Sequence, residues 1–389
     1  MTRLIEILIS LAIVLALFLI VGFLLPSSRH FQTSVETNRK MTIVYDTLNS
    51  LRRFDEWNAL VARDPRMDTK LVGPAEGVGA RLEYSSDERG IGDGAWEITD
   101  TQKNRSVTYS ITNELRGKNK RTSFILEPTG RNDRNVKITQ IYDVDYGMNL
   151  LGRYAGMYVS SNMGQDMKLS LSRLSNMLAA VPNYDYAELS KDDPSRAPSL
   201  SERPAQNLLV VGAAVERNND VVERTMKNNM QWIEKVMKAN GLVADGPVQI
   251  ITNEFGAETY SFEVAQPVRK AGGASDESGE ESDEDVAAEG EDEAADEAAT
   301  EVAAEAAPAG KLDIELQGPV EHVYRGASKV ATVPFKGHMA NLSNVRDALR
   351  GWAMTRGYQT IERPYEAWNA GIDDSFTEEG EFVVYWAIK

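Results

Sequence analysis

The residues best placed to do chemistry lie near the C-terminus. In the run Arg363-Pro364-Tyr365-Glu366-Ala367-Trp368, Glu366 stands two residues after a proline, and strand alternation puts Trp368 on its face. A carboxylate beside aromatic rings can hold an organic cation through its charge and the ring faces. With its pKa raised by burial it can instead act as a general base. Tyr365 supplies a further ring. The position two residues after Pro247 is Gln249, which cannot ionise, so the pattern offers one carboxylate and suits an asymmetric ligand. The plainer alternative is an exposed strand glutamate. Upstream, Trp57, Trp96, Tyr84 and Tyr109 could line an apolar cavity, with Met163 and Met167 adapting to its contents. The same residues serve equally well as core.

Other chemistries fall away. The chain has no cysteine, so a disulfide scaffold, a thiolate zinc site and a cysteine nucleophile are excluded. Its three histidines, His30, His322 and His338, are too dispersed for a histidine metal site. No Gly-x-Ser-x-Gly elbow occurs, and the glycines of Gly77-x-Gly79 and Gly90-x-Gly92-x-Gly94 sit in turns rather than opening a helix. Neither a metal nor a cofactor is expected. The net charge of −17 is local: fifteen Asp and Glu and no Lys or Arg fall between Gly272 and Ala309, which leaves −2 elsewhere. A nearly neutral body without a basic face argues against a nucleic-acid partner.

These residues must be positioned by an α+β chain of several parts. Ile7 to Leu25 is a nineteen-residue apolar run broken only by Ser10 and Gly22. As a helix it spans roughly 28 Å, close to a bilayer core, and no small-residue cleavage pattern follows it. Residues 4–25 therefore read as a transmembrane anchor whose lipid partner is the bilayer. The protein is expected to be single-pass, in a bacterial inner membrane. Arg3 on one flank and Arg29, Arg39 and Lys40 on the other leave the side of the body open.

From 34 to 180 an extended lead-in and a helix with Val44, Leu48, Leu51 and Phe54 at helical spacing precede five strand-like runs. A closing helix carries Met163, Met167, Leu171, Leu174 and Leu178 in one stripe. An antiparallel sheet wrapped on that helix is the simplest architecture. Residues 181–205, with three X-Pro steps between Lys191 and Pro204, read as a linker. From 206 to 389 a β-α-β-β pattern occurs twice, each helix stopping at a glycine (Gly241, Gly357), which implies a pseudo-symmetric domain with a seam between its halves. The acidic run 272–309, Ala-rich and without aromatics, reads as a disordered, solubilising insertion.

Two resemblances follow these boundaries. Val44-Tyr45-Asp46-Thr47-Leu48, Trp57-Asn58, Gly77-Val78-Gly79-Ala80, Gly94-Ala95-Trp96-Glu97-Ile98 and the long closing helix resemble the START/polyketide-cyclase-like helix-grip superfamily. That resemblance implies a cavity between sheet and helix for apolar or amphipathic molecules, in a family of binders, cyclases and hydrolases alike. Val333-Pro334-Phe335-Lys336-Gly337, Leu349-Arg350-Gly351-Trp352, Arg356-Gly357-Tyr358 and the Arg363–Trp368 run are similar to the gyrase-inhibitor-like (GyrI-like) effector-binding domain. It implies a cleft between repeats that takes drug-like or cationic molecules, often with a glutamate. The acidic stretch Gly371 to Gly380 and the insertion depart from that pattern. The expected function is a membrane-anchored, non-enzymatic binder of small amphipathic or cationic molecules. The alternatives are a hydrolase or cyclase using a carboxylate such as Glu366, and an envelope scaffold or lipid-handling protein.

Deleting residues 274–307 should leave the second domain folded, since the closure cost of a loop grows only by about 0.6 kcal/mol per doubling of length. Denaturant unfolding of the deleted chain should stay cooperative; a broad, non-cooperative transition would make the segment structural.

Overall fold

A computed structural model describes residues 2–272 and 310–389. Apart from Gly272, the expected acidic insertion lies outside the described residues. Helix α1 (Thr2–Leu24) opens the chain. Its most apolar window has a mean hydropathy of 3.2 and is only 6% buried, so it is long and apolar enough to cross a membrane.

Strand β1 (Ser28–Thr37) starts three residues after α1 and is followed by three short helices, α2 (Met41–Leu48), α3 (Phe54–Trp57) and α4 (Ala59–Arg63). Six strands come next: β2 (Asp68–Val72), β3 (Arg81–Ser85), β4 (Gly94–Gln102), β5 (Ser106–Asn113), β6 (Lys118–Thr129) and β7 (Asn135–Asp145). They form one antiparallel sheet in the order β1-β7-β6-β5-β4-β3-β2, closed by the long helix α5 (Leu150–Ala179). Alternation decides which face is covered. Val136, Ile138, Gln140, Tyr142 and Val144 of β7 are buried while the residues between them are not. Helix α5 lays Met167, Leu171, Leu174 and Leu178 against that face, as its stripe predicts. It starts well before Met163, because the Asn149 side chain caps it by accepting from the Gly152 amide at 2.9 Å.

The second sheet is built from β8 (Ser199–Arg203), β9 (Gln206–Glu216), α6 (Asn219–Ala239), β10 (Leu242–Ala244), β11 (Gln249–Phe255) and β12 (Thr259–Lys270), followed by β13 (Glu321–Arg325), β14 (Ser328–Lys336), α7 (Leu342–Thr355), β15 (Tyr365–Trp368), α8 (Gly371–Asp374) and β16 (Glu381–Ala387). Its order is β13-β9-β12-β11-β15-β16-β14-β8, with β10 on β12. The two β-α-β-β segments meet where β11 runs antiparallel to β15, Ile250 facing Glu366 and Gln249 facing Ala367. Three of its strands were not expected, one of them β10, which pairs with β12. The end of the presumed linker is β8, which pairs with β14, and β13 pairs with β9. Both are short polar edges, SLSER and EHVYR, whose strand character comes from the open neighbour they join.

The two sheets share one hydrophobic core. Leu174, Leu178 and Val181 belong to the same buried cluster as Ala348, Leu349 and Trp352 of α7. Polar contacts bind the same seam: the Asp46 carboxylate accepts from Tyr186 Oη at 2.6 Å and from Arg356 Nη1 at 3.4 Å. Arg53 Nη1 donates to the Met354 carbonyl at 3.2 Å.

Leu174 is fully buried in this shared core. Leu174→Ala should cost about 2–5 kcal/mol. In urea the midpoint should fall with an unchanged slope, by aromatic signals from both sheets together; a shift seen only in the first sheet would mean that the bodies unfold independently.

Candidate functional site

Between α5 and the covered face of the first sheet lies a narrow cavity of about 70 Å3, on the order of a few water molecules. Trp96, Ile111 and Tyr142 wall it from the sheet, Met163 and Met167 from α5, and Ile91 and Leu115 from the loops at one end. Its polar content is specific. Gln140 is 4% exposed, and its amide nitrogen donates to Thr122 Oγ1 at 3.3 Å. Its carbonyl oxygen, Oε1, finds no partner among the described residues, and neither does the Trp96 indole nitrogen. Gln140 and Trp96, each with one such unpaired buried atom, thus line the same hollow. At the rim, Arg63 Nη1 meets Asp166 Oδ2 at 3.1 Å. Burial holds the Asp166 carboxyl above the usual carboxylate range, with Arg63 pulling the other way. Burial likewise pushes the Tyr84 and Tyr142 hydroxyls up. Gly94 is required on grounds of space, since a Cβ there would run into the Tyr84 ring and hydroxyl.

The expected aromatic contacts divide. Trp96 lines the cavity, whereas Trp57 and Tyr109 do not; both are fully buried in core. Trp57 packs edge-on against Phe54 and Phe124, with centroids 5.5 and 5.6 Å away. The Tyr109 hydroxyl donates to the Leu48 carbonyl, tying α2 to the sheet. Burial raises its pKa far above the ordinary tyrosine value.

In the second sheet Glu366 is completely buried, and its Oε1 accepts from Arg346 Nε of α7 at 2.6 Å. Burial raises its pKa while Arg346 opposes the rise. The Glu366 charge also helps push Tyr260, itself mostly desolvated, up to about 12. Trp368 lies on the same face, packed edge-on against Phe382 at 5.4 Å, its indole nitrogen unpaired among the described residues. Tyr365 does not share that wall. It points through the opposite face, stacked on Tyr385 at 4.9 Å and flanked by Arg325 at 4.6 Å. Gln249 is likewise no counterpart of Glu366, because it pairs with Ala367 and faces the Tyr365 side, where its Oε1 accepts from Arg325 Nη1 at 3.2 Å. The residue across from Glu366 is Ile250.

No family model matches the chain, and no curated protein does. Among solved structures it is similar to the EcmrR C-terminal domain, at 16% identity and a TM-score of 0.33, covering 49% of this chain and 96% of that one. It is also similar to norcoclaurine synthase from Thalictrum flavum (10% identity, TM-score 0.31, 39% of this chain and 94% of that one). A third is XoxI from Bacillus cereus (14% identity, TM-score 0.30, 39% and 96%). Likeness at these scores carries no argument about function.

Sequence reasoning missed three residues. Gln140 leaves a trace, as the single amide in the inward row of β7, and Asp166 lies one residue from Met167 on the stripe side of α5. Arg346 leaves none, since only the packing of α7 on β14 and β16 brings it to Glu366.

Removing one partner of a buried ion pair typically costs about 3–5 kcal/mol, because the other charge is stranded. Arg346→Met should lose stability on that scale, and Arg346→Met with Glu366→Gln should regain most of it. Without Arg346 the Glu366 pKa rises further. The cost of the single variant should therefore shrink as pH falls from neutral to mildly acidic and the carboxyl takes up a proton. Thermal melts of the three chains across that range test this, and a pH-independent cost would show that the pair is not charged in the native protein.

Proposed function

We propose that this chain is a membrane-anchored, non-enzymatic binding protein for small amphipathic molecules, held by α1 and loaded in the cavity under α5. In this reading the first sheet with α5 is a helix-grip domain, and the second sheet is a tandem β-α-β-β domain of the effector-binding kind. The observation that carries it is the pairing of an unsatisfied acceptor, Gln140 Oε1, with an unsatisfied donor, Trp96 Nε1, in one aromatic and methionine-walled hollow. A buried polar group without a partner costs about 1–3 kcal/mol, and a ligand carrying a hydroxyl or amide repays both. Sites for drug-sized ligands run to about 300–1,000 Å3, so loading must widen the cavity. The unbranched side chains of Met163 and Met167 are the wall that can yield. In the second sheet, a cation using Glu366 as counter-charge, with Trp368 beside it, has first to displace Arg346.

The raised carboxyl of Asp166 at the rim supports a second reading, a hydrolase or cyclase with Asp166 as proton acceptor. Turnover abolished by Asp166→Asn with binding retained would establish it.

Native mass spectrometry of the detergent-purified chain should reveal a co-purifying amphipathic molecule. That molecule should bind Gln140→Leu about three- to tenfold more weakly, the value of one hydrogen bond. The ligand-free variant should melt higher than the parent, because an unsatisfied acceptor has been removed. If nothing co-purifies and no amphipath stabilises the chain saturably, the binding function is wrong.

A further inference from the structure

The end of the first sheet nearest α1 carries apolar side chains with no protein cover. Strand β1 begins at Ser28, opposite Asp145, and β6 begins at Lys118, opposite the same Asp145. The chain end of α1, the turn before β6 and the turn before α5 therefore gather at one edge. Leu115, Met148 and Leu151 there are 47%, 74% and 55% exposed. Leu115 is also a wall of the cavity.

The junction with α1 is stiff. Arg153, 8% exposed, donates from Nη1 to the carbonyls of Gly22, Phe23 and Leu25 at 3.4, 3.1 and 3.2 Å and from Nε to the Gly147 carbonyl at 2.8 Å. It thereby caps the last turn of α1, whose carbonyls have no helical partner. The Tyr146 amide donates to the Ser27 carbonyl at 2.7 Å. Deeper along α1, Tyr154 Oη donates to the Phe18 carbonyl at 2.7 Å, and the two rings stack at 4.6 Å. Phe18 lies six residues before the end of α1, so the first turns of α5 run beside about the last 9 Å of the apolar helix.

We infer that this end of the first domain is seated in the bilayer interface, with Leu115, Met148 and Leu151 inserted at headgroup level and the rim of the cavity held against the membrane. The partner is the lipid bilayer itself. The inference rests on α1 spanning the membrane, as in the proposed function, and extends it. A helix that crosses cannot present Phe18 to the bilayer without bringing Tyr154 and Leu151 to interfacial depth, where tyrosine rings and apolar side chains are favoured. The contact between α1 and α5 fixes the orientation, and the exposed apolar residues lie on the side it selects.

The absence of cysteine makes the test direct. Single spin labels are attached at Leu11→Cys in mid-helix, at Leu115→Cys, Met148→Cys and Leu151→Cys on the patch, and at Val78→Cys on the turn before β3, at the opposite end of the sheet. The full-length chain is reconstituted in phosphatidylcholine–phosphatidylglycerol vesicles. Accessibility to oxygen is then compared with accessibility to a water-soluble nickel chelate. The Leu11 label should report the bilayer core, and the three patch labels should show an oxygen-to-nickel ratio severalfold above that of the Val78 label. A deep Leu11 label with patch labels matching Val78 would overturn the docking and leave the anchor standing. A water-exposed Leu11 label would overturn the anchor reading, and the docking with it.

Discussion

The contact between α5 and the covered face of the first sheet organises the molecule. A seven-stranded antiparallel sheet with a buried apolar row along β3 to β7 has to be covered by another layer, and the 30-residue α5 is long enough to do so and to reach α1. Its buried half holds Leu171, Leu174 and Leu178 in the core. Its first turns hold α1 through Arg153 and Tyr154. Its end passes into Val181 and Tyr186, which are packed against α7, where a side chain at Gly351 would touch the Pro182 carbonyl. One helix thus links the apolar N-terminal helix, the cavity and the second sheet.

That coupling gives the segment between the sheets a structural role. Tyr186 is buried with its hydroxyl on Asp46, and burial, reinforced by the Asp46 charge, drives its pKa well above the ordinary tyrosine value. Arg356 lies over the Trp352 ring at 4.6 Å and reaches the same carboxylate. A loose tether between domains would leave such groups in water. Here they are spent on an interface that packs the segment following α5 against α7.

The two buried polar sites differ in kind. Arg346 and Glu366 pair through Oε1 within the protein, at the desolvation cost that any buried ion pair carries, while Glu366 Oε2 has no partner among the described residues. Gln140 and Trp96 leave an acceptor and a donor unmatched in a space bounded by flexible side chains. In the first arrangement the carboxylate charge is countered from within the protein. The second holds neutral polar groups beside a hollow walled by flexible side chains, which is why the cavity under α5, rather than the seam at Glu366, carries the proposed function.

Sequence alone determined what depends on neighbours along the chain. Nineteen apolar residues make an apolar helix wherever they fold, and alternation set the strands from Ala80 to Val144. The stripe from Met163 to Leu178 identified a helix facing a core, though the cap at Asn149 extended it upstream. The glycines at 241 and 357 take positive φ where each helix of the second sheet stops. What tertiary structure decided depends on partners far away in sequence. The edge strands β8 and β13 exist because β14 and β9 offer open edges. Glu366 acquired Arg346 because α7 packs on the sheet, and Tyr365 was separated from Glu366 because adjacent residues in a pleat face opposite ways and both faces of this strand are buried. Local patterns fix which side chains leave water, but long-range packing fixes what they meet when they do.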